Sequence, residues 1–221
     1  MINNKGYIMR KEKKDLINME DVTRLKLAHQ RRISLQSWTY ANYDSYIYEY
    51  DGSLNNVLEK SCLQVIDKVN KKTVVYESNS ERVNEFGNKT EDWLVEELIN
   101  NGLNAKKLGG SAYPDAKIEH DSLNYYIECK TASKLISNSS MRTFYTTTAS
   151  SRTKKIKDIK TGFHLLCLFE TKGRGKNVEY TGNFIVYDLA DFIYTDCGWI
   201  QQGSAKDYLN LKKAIICQNI N

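Results

Sequence analysis

Two short stretches, Pro114-Asp115-Ala116-Lys117-Ile118-Glu119 and Tyr125-Tyr126-Ile127-Glu128-Cys129-Lys130, decide how this chain folds. In each, polar and apolar residues follow one another with the two-residue period of a β-strand. The residues between them, His120-Asp121-Ser122-Leu123-Asn124, are of the kind that forms turns. The sequence therefore predicts an antiparallel hairpin with strands at Asp115–Glu119 and Tyr125–Lys130.

The second strand of this hairpin has one charged face and one apolar face. Because side chains alternate along a strand, Glu128 and Lys130 point to the same side as Tyr126, and the residues between them point to the other side. We expect the apolar face to pack on the core. The opposite face then carries a carboxylate and an ammonium group about 7 Å apart along the strand.

A second carboxylate lies close to this pair. Asp115 opens the first strand, and strand pairing can bring it near Glu128. Two adjacent carboxylates repel each other unless a cation holds them, and hard oxygen ligands favour Mg²⁺ or Mn²⁺ over zinc. The three histidines, His29, His120 and His164, share no ligand spacing; we expect His120 in the turn and His164 as a hydrogen-bonded histidine in a strand.

Pro114 is the only proline of the chain, and it directly precedes Asp115. Pro114-Asp115 followed at hairpin distance by Glu128-Cys129-Lys130 resembles the motif of the PD-(D/E)xK nuclease superfamily. The resemblance covers about Gly87 to Tyr187. It implies an α/β (α+β) fold, a restriction-endonuclease-like core with a central mixed β-sheet flanked by helices, and metal-assisted hydrolysis of DNA phosphodiesters.

The resemblance also implies roles for individual residues. Asp115, Glu128 and the backbone carbonyl of Cys129 would hold Mg²⁺, for which Mn²⁺ is a possible substitute. Lys130 would orient or deprotonate the attacking water and stabilise the charge on the phosphoryl oxygens. Glu91 follows Gly87-Asn88-Lys89-Thr90 and resembles the acidic residue that a preceding helix contributes in many members. Four neighbours compete with it for that role: Glu85, Asp92, Glu96 and Glu97.

A basic stretch follows the hairpin. From Lys130 to Lys160 there are eight Lys or Arg residues against one acid, Asp158, together with many Ser and Thr residues. Such a stretch suits contact with DNA phosphates, although a solvated basic loop has the same composition. The candidate DNA-contacting residues are Lys134, Asn138, Arg142, Arg152, Lys154 and Lys155.

Apolar periodicity predicts the remaining elements. Helices are expected at Glu20–Ile33, at Leu54–Val69 with Ser53 as its cap, at about Ser80 to Asn101 with Asn101-Gly102 closing it, and at Ala205–Ile216. The third helix has a shorter alternative that starts near Lys89 with Thr90 as its cap. The continuous apolar run Phe163–Phe169 predicts a strand that is buried on both faces, and Phe184–Tyr187 predicts another strand.

The first eighty residues match nothing that we can place. We predict a helical, aromatic-rich region over residues 1–80 and the nuclease core over residues 81–221. Tyrosines cluster around Trp38–Tyr50, where they could stack on bases, line a core or form a subunit contact. This segment or the Leu54–Val69 helix could hold together a homodimer, the usual form of type II restriction endonucleases.

The bulk properties fit a cytoplasmic protein of 221 residues with a net charge of +5. The lysine-rich start, Met1–Asp15, lacks the apolar core of a secretory signal, and no apolar run is long enough to span a membrane. The five cysteines are scattered and never form a C-x-x-C pair, which argues against a disulfide framework and a zinc knuckle.

Taken together, the sequence most resembles a type II restriction endonuclease that cuts double-stranded DNA at a short specific site. One alternative is a structure-selective nuclease such as a Holliday junction resolvase, which shares the G-x-x-x-E helix. Another is a non-catalytic DNA-binding protein that would use the basic residues Arg24, Lys26, Arg31 and Arg32 of the Glu20–Ile33 helix. Cleavage of linear duplex DNA at discrete sites would separate the first two, and the third predicts metal-independent binding with no strand cleavage.

Overall fold

The structure, a computed structural model, describes residues 31–71, 83–109, 113–133, 135, 157–173, 177–196 and 215–219. These ranges contain three helices: α1 (Leu35–Tyr43), α2 (Asn55–Asn70) and α3 (Val83–Asn100). They also contain nine strands: β1 (Arg31–Ser34), β2 (Ile47–Tyr48), β3 (Asn104–Lys107), β4 (Ala116–His120), β5 (Leu123–Ala132), β6 (Gly162–Lys172), β7 (Glu179–Asp188), β8 (Ile193–Asp196) and β9 (Ile215–Asn219).

Seven of these strands form a central mixed sheet. The order is β3-β4-β5-β6-β7-β9, and β2 pairs with the beginning of β6. Strands β5 and β6 run parallel, as do β2 and β6, whereas the other neighbours are antiparallel. Strands β1 and β8 form a separate antiparallel pair. A central mixed sheet with flanking helices confirms the predicted fold class.

The predicted hairpin is formed by β4 and β5, but its turn is tighter than expected. His120 pairs with Leu123, so only Asp121 and Ser122 lie between the strands, and both have positive φ angles of 48° and 63°. A two-residue hairpin turn of type I′ needs left-handed backbone at both central positions, which Asp tolerates better than most residues. The five-residue turn predicted from the sequence was therefore wrong, because its outer residues join the strand ladder.

Two apolar clusters lie on opposite faces of the sheet. Helices α2 and α3 cover one face, where Leu58, Val65, Leu94 and Leu98 pack under alternate residues of β5. The other cluster combines Leu35 and Tyr113 with side chains of β6 and β7. Strand β6 contributes to both, with Leu165 and Cys167 to the first and Leu166 and Leu168 to the second. The predicted burial of this strand on both faces is confirmed.

Helix α3 begins and ends close to the predicted limits. It runs from Val83 to Asn100, and Gly102 follows with a φ of 89°. The Gly102 N–H donates to the Ile99 carbonyl and the Leu103 N–H to the Leu98 carbonyl, which satisfies the last carbonyls of the helix. The predicted closure at Asn101-Gly102 is confirmed.

Both predicted helix caps were wrong. The Ser53 hydroxyl lies 3.0 Å from the Tyr125 hydroxyl and makes no cap, and Leu54 occupies the cap position of α2. Thr90 lies inside α3, where its hydroxyl donates to the Phe86 carbonyl at 2.8 Å and lies 2.7 Å from the Tyr180 hydroxyl. In both cases a tyrosine of the sheet contacts the hydroxyl group that the local sequence pattern predicted as a helix cap.

Two terminal helices were also predicted, and their described parts are strands. Arg31–Ile33 belong to β1, which pairs with β8. Ile215 and Ile216 belong to β9, which pairs with β7. The remaining parts of these predicted helices, residues 20–30 and 205–214, lie outside the described residues. Pairing with a distant strand outweighs the local helical periodicity at both positions.

Candidate active site

The predicted catalytic residues lie where β4 begins and β5 ends. Asp115 immediately precedes β4, and its backbone N–H donates to the Ile127 carbonyl of β5 at 2.9 Å. On β5 the apolar side chains of Tyr125, Ile127 and Cys129 belong to the cluster under α2 and α3. Glu128 and Lys130 therefore point to the opposite face, as the alternation predicted.

Asp115, Glu128 and Lys130 are in direct contact. The Lys130 Nζ lies 2.5 Å from Glu128 Oε1 and 3.5 Å from Asp115 Oδ2, and it donates to the Cys129 carbonyl at 3.2 Å. Asp115 Oδ2 also accepts the Cys129 N–H at 2.9 Å. The backbone between the two β5 side chains thus fixes the aspartate, and one ammonium group faces both carboxylates.

The Glu128 carboxylate is the least satisfied group in this cluster. The residue is only 2% exposed, and Oε2 is buried without a hydrogen-bond partner among the residues that the structure describes. Burial, and then the charge of Asp115, raise the pKa of Glu128 to about 8, while Lys130 acts in the opposite direction. A buried carboxylate beside another carboxylate costs free energy that a bound cation would recover.

This donor set fits Mg²⁺ or Mn²⁺. The oxygens available are those of Asp115 and Glu128 and the carbonyl of Cys129, and hard divalent cations take such oxygen ligands. Among the described residues no group of three or more His, Cys, Asp or Glu side chains is arranged to hold a metal ion. A cation here would therefore depend on the two carboxylates and the carbonyl, with further positions filled by water or DNA phosphate.

Glu91 lies near this cluster but is paired elsewhere. Its Oε2 is 3.1 Å from the Nζ of Lys107, which ends β3 and also contacts Asp92 Oδ1 at 2.7 Å. Burial, and then the charge of Asp115, raise the pKa of Glu91, and Lys107 and Lys130 oppose them. Glu91 is thus within electrostatic reach of Asp115, and an ammonium group from β3 neutralises it.

Two of the acidic residues that compete with Glu91 lie at the contact between α2 and α3. Glu96 and Glu97 both form ion pairs with Lys68 of α2, at the opposite end of α3 from Gly87. Asp92 shares Lys107 with Glu91, and Glu85 lies in the first turn of α3. Glu91 interacts electrostatically with Asp115, which favours it for the predicted role.

A second lysine at this site was not predicted from the sequence. Lys157 is only 8% exposed, and its Nζ donates to the carbonyl of Pro114. Burial lowers the pKa of Lys157, whereas the charges of Asp115, Glu128 and Glu91 act to raise it. One signal was present in the sequence: Ile156 and Ile159 interrupt the polar composition of the basic stretch, as expected of a segment that packs.

His120 and His164 belong to no group of three or more potential metal-ligating side chains among the described residues. Burial lowers the pKa of His164 to about 3, its Nδ1 contacts the Tyr113 hydroxyl, and its Nε2 is buried without a partner among those residues. The hydrogen-bonded strand histidine was therefore predicted correctly for one ring nitrogen only. His120 ends β4, with Nε2 3.4 Å from Asp121 Oδ2, and His29 lies outside the described residues.

The predicted DNA-contacting residues are not among those that the structure describes. The six residues are Lys134, Asn138, Arg142, Arg152, Lys154 and Lys155. The aromatic segment before residue 50 is described: Trp38 of α1 packs edge-on against Tyr113 at 6.2 Å, which places α1 beside the residue before Pro114. Tyr40, Tyr46 and Tyr48 remain substantially exposed.

Comparison with known proteins adds independent information. The type II restriction enzyme MjaV family matches residues 44–198, a range that contains Glu91, Asp115, Glu128, Lys130 and Lys157. The type II restriction enzyme MjaV of Methanocaldococcus jannaschii is 32% identical over 158 residues, which are 63% of this chain and 66% of that protein, slightly less than two thirds of its length. No solved structure matches the chain. None of the described helices combines the length and the apolar character needed to cross a membrane. Because the family match spans well over half of the sequence, the chain belongs to the type II restriction enzyme MjaV family.

Proposed function

We propose that this protein is a Mg²⁺-dependent type II restriction endonuclease that hydrolyses phosphodiester bonds of double-stranded DNA at a short specific site. The observation that carries the proposal is the buried contact of Asp115, Glu128 and Lys130, in which Glu128 Oε2 has no partner among the described residues. A carboxylate left in this state is costly for a protein that only needs to fold. Membership of the MjaV family supports the same activity.

Asp115, Glu128 and the Cys129 carbonyl are the proposed metal ligands, and Mn²⁺ could replace Mg²⁺. The bound cation would neutralise the scissile phosphate and lower the pKa of a coordinated water. The Cys129 N–H, which holds Asp115 Oδ2, fixes the orientation of that carboxylate before the cation arrives. Because both carboxylates are mostly buried, they would bind the cation with little rearrangement of their own side chains.

Lys130 would act on the attacking water and on the charge that develops at the phosphate. Its Nζ already lies between the two carboxylates, at 2.5 Å and 3.5 Å, so the incoming cation would compete with it for their oxygens. The ammonium group would then be free to donate to a phosphoryl oxygen and to orient the water. Glu91 would support a second cation or hold a water molecule, once its ion pair with Lys107 opens.

The remaining parts of the proposal concern DNA contact and assembly. The DNA backbone and bases would be contacted by Lys134, Asn138, Arg142, Arg152, Lys154 and Lys155. The protein would act as a homodimer, with one subunit for each strand of a symmetric site. Residues 1–80 would supply the subunit contact or part of the DNA contact, and residues 81–221 the nuclease core.

The test is cleavage of unmethylated, phage-length duplex DNA by the purified protein with Mg²⁺ and with EDTA. Lys130→Ala removes the catalytic ammonium, and Lys172→Ala is the matched control, since Lys172 lies exposed at the end of β6. We expect discrete fragments from the wild type and the control with Mg²⁺ only, and at least a ~10²-fold slower reaction with Lys130→Ala.

Other outcomes would point to the alternatives. DNA left intact in every reaction would overturn the restriction activity. Cleavage of four-way junctions but not of linear duplexes would identify a structure-selective nuclease. Tight DNA binding with EDTA present, and no strand cleavage with any divalent cation, would identify a non-catalytic DNA-binding protein.

A further inference from the structure

Lys157 is a buried lysine that the proposed mechanism does not use. It begins a short segment, residues 157–160, that is fixed to the rest of the protein at three points. Lys157 Nζ donates to the Pro114 carbonyl, the Ile159 carbonyl accepts the Ser45 hydroxyl at 3.1 Å, and the Lys160 N–H donates to the Tyr126 hydroxyl at 2.7 Å. The segment therefore lies across the same face of β4 and β5 that carries the active-site residues.

The contact with Pro114 completes the attachment of Asp115. The Asp115 N–H donates to the Ile127 carbonyl and the Asp115 carbonyl accepts the Leu108 N–H. Its carboxylate accepts the Cys129 N–H. The Pro114 carbonyl, which belongs to the same peptide group as the Asp115 N–H, accepts a hydrogen bond from the Lys157 ammonium.

The charge of Lys157 also matches its surroundings. An ammonium group that is 8% exposed is costly unless opposite charges compensate for it. Burial has the largest effect on Lys157 and lowers its pKa, whereas Asp115, Glu128 and Glu91 favour the charged lysine and Lys130 opposes it. A neutral apolar side chain could not donate a hydrogen bond to the Pro114 carbonyl. It would also lack the favourable electrostatic interaction with the three carboxylates.

We propose that Lys157 is a positioning residue of the active centre, whose ammonium group fixes the Pro114 carbonyl and thereby aims the Asp115 carboxylate at the metal position. The inference rests on the proposed function. It assigns Lys157 no contact with DNA, because the side chain is buried and its Nζ is directed at the Pro114 carbonyl. Substitution should therefore weaken metal binding and slow cleavage while leaving DNA affinity unchanged.

The test compares Lys157→Met, Lys157→Arg and the exposed control Lys172→Met. Mn²⁺ affinity is measured by calorimetry on the DNA-free protein, the cleavage rate constant in single turnovers, and the DNA dissociation constant with Ca²⁺. We expect Lys157→Met to lose about 10- to 100-fold in Mn²⁺ affinity and in the cleavage rate constant, with a DNA affinity within about threefold of the wild type. Lys157→Arg should recover part of both losses, and Lys172→Met should match the wild type.

Three results would overturn the inference. Unchanged Mn²⁺ affinity in Lys157→Met would exclude a positioning role, tighter Mn²⁺ binding would make Lys157 a counter-charge only, and a loss confined to DNA affinity would make it a DNA contact. Should Lys157→Met not fold, Lys157→Arg carries the test alone: a loss of about threefold or more in Mn²⁺ affinity supports the inference, and no loss overturns it. A wild type that neither binds Mn²⁺ nor cleaves DNA would instead overturn the proposed function.

Discussion

Two glutamates of this protein are almost equally buried but differ in their surroundings. Glu97, at the contact between α2 and α3, is 3% exposed, and Glu128, on β5, is 2% exposed. Glu97 forms an ion pair with Lys68, and both of its oxygens lie within reach of the Asn100 amide, at 3.5 and 3.4 Å. Glu128 has Lys130 on one oxygen, no partner for the other among the described residues, and Asp115 beside it.

The difference distinguishes a carboxylate that supports the fold from one whose proposed role is to bind a metal ion. A buried charge that only supports the fold is expected to have its hydrogen bonds satisfied, because each missing bond costs free energy. Glu97 meets this expectation. Glu128 does not, because one of its oxygens lacks a partner among the described residues, and a divalent cation could bind that oxygen. The same Glu→Gln substitution should therefore act mainly on catalysis at Glu128 and mainly on stability at Glu97.

The largest expected effect is on catalysis. Glu128→Gln keeps the shape of the side chain but removes a ligand charge, so we expect the single-turnover cleavage rate constant to fall by about 10³-fold or more. Glu97→Gln should cleave within about threefold of the wild type, since Glu97 pairs with Lys68 on α2. Rates are measured with saturating protein, after circular dichroism has established that both variants are folded. Equal losses in the two variants would remove the distinction.

The second effect concerns how stability depends on pH without metal. The pKa of Glu128 is raised in the folded state from 4.5 to about 8, so the folded protein binds a proton that the unfolded chain releases. Below about pH 4.5 the group is protonated in both states and contributes nothing. As the pH rises from about 4.5 to 8, the unfolded state loses its proton first, and Glu128 increasingly destabilises the fold.

This dependence can be measured by thermal unfolding in EDTA. We expect the wild type to lose stability across that pH window, and Glu128→Gln to lose distinctly less. Saturating Mn²⁺ at pH 8 should raise the Tm of the wild type, by the equivalent of about 2.7 kcal/mol when its concentration is a hundred times the Kd, and should have little effect on Glu128→Gln. A wild type whose pH profile matches that of the variant would show that burial imposes no such cost on Glu128.

The sequence predicted the active-site strand because the relevant information is local. The alternation from Tyr125 to Lys130 identifies the two faces of β5 without any knowledge of its neighbours, and the structure has the apolar face in the core. The apolar run of β6 likewise predicts its own burial. Helix α3 was predicted for the same reason, since its apolar face and its closing glycine are both local features.

Features that depend on distant partners were missed. Lys157 reaches Pro114 only because residues 157–160 cross β4 and β5, and nothing in the neighbouring sequence specifies that path. Ser53 and Thr90 are of residue types that often cap helices, yet tyrosines of β5 and β7 contact their hydroxyl groups. The pairing of Glu91 with Lys107 similarly depends on β3 lying beside α3. The active-site roles themselves stay predictions until the variants are measured.

The smallest expected effect is on the stability that Glu97 contributes. Glu97→Gln leaves the Lys68 ammonium, whose side chain is 23% exposed, still paired with Glu96 at 3.0 Å. Because Lys68 keeps that partner and some contact with water, we expect a loss of about 1–3 kcal/mol in the free energy of unfolding rather than the larger cost of a fully stranded charge. Lys71→Ala provides the exposed reference: its pair with Asp67 at 2.7 Å lies in solvent, and its loss should cost about 0.5 kcal/mol or less. Urea unfolding in EDTA measures both. If Glu97→Gln costs no more than Lys71→Ala, the burial of Glu97 contributes nothing to the fold, and the contrast with Glu128 would then rest on catalysis alone.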